Sequence, residues 1–558
     1  MRCRRLTILA LALVGALALA APACARDRAV VRVAFPSEDG TLTPYTFTNG
    51  YRLMTLVYDT LTWRDVNGIA RPWLARSIRR RAGGRQIEVT LRRGVRWHDG
   101  RPLTADDVVF TFDYVKTHFN PRFTPQLREL AGVTAADPLT VVFALREPAL
   151  GFEDQPLADI PILPRHLWER LPRDRSSPAG LPVGSGPYRL VRHVVGRSYR
   201  FQSNRGYFRG RPAVDRVEVP IIATQEQSAA ELRGRLLDAA PVAAPTGTRL
   251  QRPPTVRFAR SDSYTGTMLE FNLTRPPFDR PQARRAVSLA LDLGEISGSG
   301  TGPGRRLRAD RGVLHPRSPW AASRSLHRFD PSAARVAFSE QGVGEFEVAV
   351  SSSDPVRLEA ARRVVLALRE AGARARLAAL SPRALNRTLG ADGRTRATFD
   401  AAVVGFPALA SHDPAFLRAV FGDPADAPLN DGGYRSARLE RLADRVEQAS
   451  TVPARRRAVQ AELRLLAEDL PVVPLFFGGT TFAYRPGAYD KWIDVRGSGI
   501  LDKRSFLAGS VAAGEPVAPV TDPTDPGGGQ LSLVPFIIAL AAIMLAALAW
   551  WPRHGRSS

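Results

Sequence analysis

The stretch Gln86–Thr111, QIEVTLRRGVRWHDGRPLTADDVVFT, contains the signals for a strand, a turn and a helix in that order. Apolar and polar residues alternate over Gln86–Trp97, which predicts a half-buried β-strand. Asp99-Gly100 is a turn dipeptide, and Thr104–Asp107 has the form of a capping box at the start of a helix. The stretch therefore predicts one strand-turn-helix unit.

Farther along the chain, strands and helices alternate. The sequence predicts strands over Phe346–Ser353, Ala373–Leu380 and Phe399–Gly405, with helices between them. Such β-α-β crossovers predict an α/β fold with a parallel sheet that carries helices on its faces. Ligands of these sheets bind beyond the carboxyl ends of the strands, and this rule selects Ser351–Ser353 and Phe406–Asp413 as candidate site loops.

The beginning of the chain predicts export. Residues 1–23 have basic residues first, then an apolar run, then small residues, which is the layout of a secretory signal peptide. Cys24 would follow the cleavage point and is a candidate lipidation site. The alternative is ordinary cleavage after Ala23 or Ala25.

The end of the chain predicts a membrane anchor. Residues 531–551 form an uncharged apolar run of about twenty residues, enough for a transmembrane helix. The basic tail at 552–558 predicts a cytoplasmic C-terminus, and the Pro- and Gly-rich segment 509–530 predicts a flexible stalk. We therefore expect a single-pass protein of the cell membrane, with its body on the periplasmic or extracellular side.

Charge and motif content argue against several functions. The net charge is +24, but 75 of the 78 basic residues are arginines scattered along the chain, so no nucleic-acid partner is predicted. Cys3 and Cys24 are the two cysteines, which excludes a disulfide framework or a cysteine zinc site in the body. The sequence has no nucleophile elbow, zinc-protease helix or phosphate loop. We therefore predict no enzymatic activity, no cofactor and no metal site.

Several motifs together resemble those of a known family, the peptide/nickel group of ABC-transporter substrate-binding proteins (extracellular solute-binding family 5). The matching segments occur in the same order and are Pro72–Ala75, Leu91–Gly100, Pro102–Thr111, Pro182–Tyr188, Tyr207–Pro212, Phe271–Asp279, Arg284–Asp292 and Asp469–Leu475. The resemblance extends from about Val31 to Asp494.

This resemblance implies a two-lobed α/β clamshell of the periplasmic-binding-protein type, with an extra domain inserted into the first lobe. The boundaries it implies are 28–62, 186–270 and 475–508 for lobe I, 63–185 for the inserted domain and 271–474 for lobe II. A clamshell encloses its ligand between the lobes.

The resemblance also implies candidate binding residues. A resembling peptide binder holds the amino terminus of its ligand with an Asp in the loop that corresponds to Phe406–Pro414. The matching position here is Ala410, so Asp413 is the candidate substitute, and this departure weakens the case for a peptide with a free amine. The match and the strand-end rule together select ten residues: Tyr45, Phe47, Thr48, Tyr264, Thr265, Phe406, Ser411, His412, Asp413 and Tyr434.

The function that the resemblance implies is a membrane-tethered receptor. It would deliver a peptide-like or other small polar solute to the permease and ATPase subunits of an ABC importer. Two alternatives remain open, namely a sensory or signalling receptor without transport, and an exported hydrolase.

Overall fold

The computed structural model describes residues 30–47, 51–171, 177–242, 255–298, 306–390, 396–497 and 500–507. These residues belong to one contact unit that ends at Glu515. The predicted signal peptide, Cys24, the stalk, the 531–551 segment and the basic tail lie outside the described residues. Within the described part of the chain, no helix has both the length and the apolar character needed to cross a membrane.

The strands, numbered in chain order, are β1 Val30–Arg32, β2 Thr62–Arg64, β3 Ala70–Pro72, β4 Ala75–Arg81, β5 Gln86–Leu91, β6 Leu130–Asp137, β7 Thr140–Leu145, β8 Tyr188–Val194, β9 Ser198–Ser203, β10 Arg216–Pro220, β11 Ala239–Val242, β12 Arg257–Phe271, β13 Leu307–Arg308, β14 Phe346–Ser351, β15 Ala375–Leu380, β16 Ala401–Phe406 and β17 Val472–Tyr484.

The α-helices are Tyr51–Val57, Ala105–Thr117, Pro156–Asp159, Arg165–Trp168, Gln225–Arg233, Pro281–Ala290, Leu293–Ser297, Pro331–Gln341, Pro355–Glu370, Pro382–Leu389, Ala408–His412, Leu417–Phe421, Ala437–Glu447 and Val452–Asp469.

The largest sheet has the strand order β11-β17-β12-β16-β14-β15, and β13 pairs with β17. Strand β14 runs parallel to β15 and β16, as the crossovers predicted. Strand β12 runs antiparallel to both β16 and β17, so the sheet is mixed and the prediction of a parallel sheet was incomplete. The reason is that the prediction rested on the crossover segment alone, whereas β12 and β17 enter the sheet from distant parts of the chain.

Three smaller sheets complete the described body. Their orders are β1-β10-β9-β8, β4-β5-β7-β6 and β2-β3. The strand-turn-helix unit lies in the second of these, where Ile87 and Val89 are fully buried. The capping box is present, because the carboxylate of Asp107 accepts a hydrogen bond from the Thr104 N–H at 2.9 Å. The turn and the capped helix are therefore confirmed, whereas the strand ends at Leu91 and not at Trp97 as predicted, because the chain turns at Gly94, where φ is +76°.

The segment Phe406–Asp413, predicted as a loop, contains a short helix. Phe406 is the last residue of β16, and Ala408–His412 forms one helical turn that begins after Pro407. Proline favours a helix start, and Ala and Leu are strong helix formers, which accounts for the turn. The correction matters because this turn sets the direction of the His412 side chain.

Strands β12 and β17 pair along most of their length, but their ladder is interrupted. Asp262 pairs with Gly479 and Gly266 pairs with Phe477, so three residues of β12 lie opposite a single residue of β17. Ser263, the first of the three, forms a bridge to Gly497 instead. Such bulges turn side chains out of the sheet and are common beside binding sites. We call Ser263–Thr265 the bulge.

Candidate functional site

A cavity of about 310 Å³ lies at the bulge, and we call it the arginine cavity. It is formed where the helix Tyr51–Val57, strand β2, the bulge and the helix Ala408–His412 meet. Its lining consists of Phe47, Tyr51, Arg52, Trp63, Arg64, Arg122, Ala158, Asp159, Thr265, Pro407, Ala408, Leu409, His412, Gly497 and Asp502. Aromatic rings with a few convergent charged groups are the usual lining of a ligand pocket.

Arg122 is fixed by an acidic partner. Its guanidinium donates from Nε to Asp159 Oδ2 at 2.9 Å and from Nη2 to Oδ1 at 2.6 Å. The Gln126 amide donates to the same carboxylate at 2.8 Å, and the Arg122 guanidinium lies 4.0 Å from the centre of the Tyr51 ring. Burial works against the charged form, but the charge of Asp159 outweighs it and keeps the pKa of Arg122 raised. This pair is therefore a rigid part of the cavity wall.

Arg64 donates only to neutral oxygens among the described residues. Nη1 bonds to the Asp154 carbonyl oxygen at 2.8 Å, and Nη2 bonds to Gln155 Oε1 at 2.9 Å. Arg64 is the last residue of β2, and only 8% of its surface is exposed. A buried guanidinium without a bonded carboxylate attracts anions more strongly than an exposed one does.

The backbone carbonyl of Arg52 accepts a hydrogen bond from the Thr55 hydroxyl at 2.7 Å, whereas its guanidinium forms no hydrogen bond or salt bridge with the residues that the structure describes. Burial is the main cause that lowers its pKa. The charges of Asp502 and Asp494 raise the pKa and that of Arg122 lowers it, and the net result is a lowered pKa. The Asp502 carboxylate accepts hydrogen bonds from the Trp63 indole at 3.3 Å and from the Arg504 N–H at 2.9 Å. Arg52 also borders a second, neighbouring cavity of about 290 Å³ together with Thr265.

His412 completes the polar lining as a neutral group. Burial is the main cause that holds its pKa well below 6.5, and the charges of Arg64, Arg122 and Arg52 add to the effect. The His412 ring lies 4.8 Å from the Tyr264 ring, and both are close to Gly497. At neutral pH the imidazole therefore contributes hydrogen bonding to the cavity and no charge.

The structure brings three of the predicted site residues together in the arginine cavity: Phe47, Thr265 and His412. Tyr264 lies directly behind them, in contact with His412 and with its hydroxyl 3.3 Å from the Arg317 carbonyl oxygen.

Four predicted residues do not line the arginine cavity and contact other parts of the protein instead. Phe406 is buried in a hydrophobic core cluster, and the Ser411 hydroxyl accepts a hydrogen bond from the His315 N–H at 2.9 Å. Tyr45 packs on Tyr114 and Trp168, and the Tyr434 hydroxyl donates to Asp469. Thr48 lies outside the described residues. The strand-end loop Ser351–Ser353 borders neither of the cavities described here.

Asp413 lines a different cavity, of about 400 Å³. It forms a buried salt bridge with Arg455, and its Oδ1 accepts a hydrogen bond from the Ala415 N–H at 3.1 Å. Gly151 approaches this pair so closely that an added Cβ would lie 2.1 Å from Asp413 Oδ2. The carboxylate of Asp413 is thus already matched by a protein cation.

The sequence analysis did not identify Arg52, Arg64 or Arg122. Arginine is so abundant in this chain that no single one is distinguished by its type. The one available signal was position, because Arg52 follows closely after the predicted pocket residues Phe47 and Thr48. Within the described residues, no cluster of three or more His, Cys, Asp or Glu side chains could hold a metal ion.

Comparison with known proteins gives a consistent result. Residues 70–427, more than half of the chain, match the profile of "Bacterial extracellular solute-binding proteins, family 5 Middle". The chain is 26% identical over 246 residues to the oligopeptide-binding protein AppA of Bacillus subtilis and 28% identical over 366 residues to protein XP55 of Streptomyces lividans. These alignments cover 43% and 62% of this chain, and they span 45% of AppA and 66% of XP55.

Solved structures show the same fold. NikZ of Campylobacter jejuni, in complex with Ni(L-His), is 23% identical with a TM-score of 0.72, over 85% of this chain and 97% of NikZ. Bacillus subtilis AppA, in complex with a nonapeptide, is 21% identical with a TM-score of 0.73, over 84% of this chain and 96% of AppA. The body therefore has the two-lobed α/β fold of periplasmic binding proteins.

Proposed function

The chain belongs to the bacterial extracellular solute-binding proteins of family 5, and on that premise we propose that it is a receptor that delivers a solute to an ABC importer. The solute is peptide-like or another small polar molecule, bound in the arginine cavity and released unchanged. AppA, a relative, is named for oligopeptide binding, and NikZ was solved with Ni(L-His), so the solutes of similar proteins are chemically diverse.

The arginine cavity is the observation that carries this proposal. Its volume of about 310 Å³ falls in the range of small-molecule pockets, and aromatic rings lie beside buried charged groups in its wall. Buried polar groups need fixed partners, and a polar solute supplies partners for those that the protein leaves unpaired. The bulge, which forms part of this wall, interrupts the pairing of the long strands β12 and β17, and the two strands pair on both sides of it.

The division into lobes is part of the same proposal. The boundaries at 270/271 and 474/475 fall inside β12 and β17, so these two strands would pass from one lobe to the other. A ligand that binds both lobes favours the closed state over the open one. The interrupted ladder at the bulge lies ahead of the 270/271 boundary, and the proposal places the hinge at this interruption, where β12 loses its pairing with β17.

Binding without conversion is tested with the purified chain. Native mass spectrometry of the protein as isolated identifies a co-purified solute, and calorimetry measures its affinity. We expect stoichiometric binding and recovery of the unchanged solute by chromatography, together with a rise in Tm from binding to the folded state. A chemically altered product would contradict the receptor and favour the exported hydrolase.

The place of the protein at the membrane is a second part of the proposal. Residues 1–23 direct export, and the apolar run 531–551 spans the membrane with the basic tail inside. The full-length protein should stay in the membrane fraction after washing with salt or alkali. Truncation after Gly509 should release it, unless a lipid on Cys24 retains it, and release of the full-length protein by salt alone would refute the anchor.

A further inference from the structure

The acidic groups of the arginine cavity are already occupied by protein donors. Asp159 is bonded to Arg122 and to the Gln126 amide. Asp502 is bonded to the Trp63 indole and to a backbone N–H. Both oxygens of Asp159 accept hydrogen bonds, so a cationic ligand there would compete with bonds of the protein, and breaking such bonds in a buried site costs free energy. The hydrogen bonds to Asp502 both end on Oδ1, but this carboxylate lies close enough to Arg52 to act on its charge, so an ammonium group at Asp502 would be repelled by the Arg52 guanidinium.

Two of the arginines in the cavity, unlike the aspartates, still have N–H donors available. The Arg52 guanidinium has no hydrogen bond or salt bridge in the described part of the chain, and the Arg64 guanidinium donates to neutral acceptors only. A guanidinium carries five N–H donors in a planar fork that matches a carboxylate. Donors thus remain for a ligand on both side chains, and both side chains line the same cavity.

The formal charge of the cavity lining favours one kind of anionic group on the ligand over another. Three arginines and two aspartates line the cavity, so the lining carries one formal positive charge in excess, and Asp494, which also acts on Arg52, lies outside the lining. His412 adds no charge at neutral pH. A carboxylate carries a single negative charge and would balance this excess, whereas a phosphate monoester carries close to two.

We propose that the solute is a net anion whose carboxylate is held between Arg52 and Arg64, and that it presents no ammonium group to this cavity. The inference rests on the proposed function, because it assigns the chemical class of the solute bound at the same site. Arg52 is then the residue that selects for negative charge, since its guanidinium lacks a bonded partner of its own. The Arg122–Asp159 pair holds the opposite side of the cavity in place.

The test uses one tripeptide, tri-alanine, in four forms as probes of the full chain. These are the free peptide, the N-acetyl peptide, the peptide amide, and the N-acetyl peptide amide. Calorimetry and the change in Tm are measured for each form. We expect the N-acetyl peptide, which keeps only the carboxylate, to bind most tightly, and the peptide amide, which keeps only the ammonium, to bind most weakly.

Two variants locate the effect. Arg52→Gln should weaken binding of the N-acetyl peptide by roughly ten- to a hundredfold, because it removes charge-assisted hydrogen bonds. Its fold should persist, since the Arg52 guanidinium has no bonded partner that the change would strand. Arg76→Gln, at an exposed arginine of β4 away from both cavities, is the matched control and should bind like the unchanged protein.

Several outcomes would overturn the inference. One is tighter binding of the peptide amide than of the N-acetyl peptide, and another is an unchanged affinity in Arg52→Gln. If no form of the peptide binds and native mass spectrometry finds a neutral or cationic solute, the receptor stands and the anion assignment falls. If neither experiment finds any bound solute, the proposed function itself falls.

Discussion

Substitution of Gly497 by alanine tests whether close packing behind the bulge sets the shape of the arginine cavity. Gly497 has a φ of +77°, and an added Cβ would lie 2.6 Å from both His412 Cε1 and Tyr264 Cδ2. Each contact would be about 0.8 Å shorter than ordinary van der Waals contact, so both rings would have to move. Overpacking of this kind costs about 1–3 kcal/mol, and a left-handed non-glycine residue costs about 1 kcal/mol more.

We therefore expect Gly497→Ala to lower the free energy of unfolding by about 2–4 kcal/mol. Affinity should fall about tenfold or more, equivalent to about 1.4 kcal/mol, because His412 and Gly497 both line the cavity. Urea unfolding followed by tryptophan fluorescence measures the first effect, and calorimetry with N-acetyl-tri-alanine measures the second.

The matched control is Gly100→Ala. Gly100 has a φ of +91°, but an added Cβ would meet no heavy atom within 4 Å. This variant should show only the cost of backbone strain, about 1 kcal/mol, with unchanged affinity. The packing argument is refuted if Gly497→Ala loses no more stability than Gly100→Ala and binds the peptide normally.

Three further substitutions test buried charges, each by urea unfolding. Asp59→Ala should lower the free energy of unfolding by about 3–5 kcal/mol, because Lys503 lies 2.7 Å away and both side chains are fully buried. A double variant that also carries Lys503→Met should lose less stability, and an equal loss in both variants would contradict the argument. Asp413→Ala should cost a similar amount because it leaves Arg455 unpaired in the interior, and a change in affinity without a change in stability would refute that reading. Burial raises the pKa of Glu270 from 4.5 to about 8. Between these pH values the folded protein keeps a proton that the unfolded chain has lost, so the free energy of unfolding falls as pH rises. Glu270→Gln should flatten this slope by up to about 1.4 kcal/mol per pH unit, and parallel pH profiles of the variant and the unchanged protein would contradict the argument.

Local patterns predicted the parts of the fold that depend on neighbouring residues. The capping box at Thr104 and the alternation over Gln86–Leu91 involve residues a few positions apart, and both formed as expected. The helix after β14 also begins as predicted, with the Asp354 carboxylate accepting a hydrogen bond from the Arg357 N–H at 2.9 Å. Backbone geometry and side chains a few residues away determine these features, so they can be predicted from the sequence alone.

The wall of the arginine cavity was predicted only in part. The family resemblance and the strand-end rule selected Phe47, Thr265 and His412, which do line the arginine cavity. The interruption of the ladder between β12 and β17 carries no comparable local signal, because it depends on pairing between segments about 200 residues apart.

The tertiary structure alone decided which charged groups meet. Arg52, Arg64 and Arg122 lie on three separate segments, and they converge because the helix Tyr51–Val57, β2 and the segment after the helix Ala105–Thr117 meet at one cavity. His412 and Asp413 are neighbours in sequence but line different cavities, since the helix ends at His412 and Asp413 adopts an extended backbone with φ −133° and ψ 110°. The sequence by itself determined the residue types and the local elements. Side-chain direction at an element boundary and contacts between distant segments depend on packing of the whole body, and this packing decided which charges line the arginine cavity.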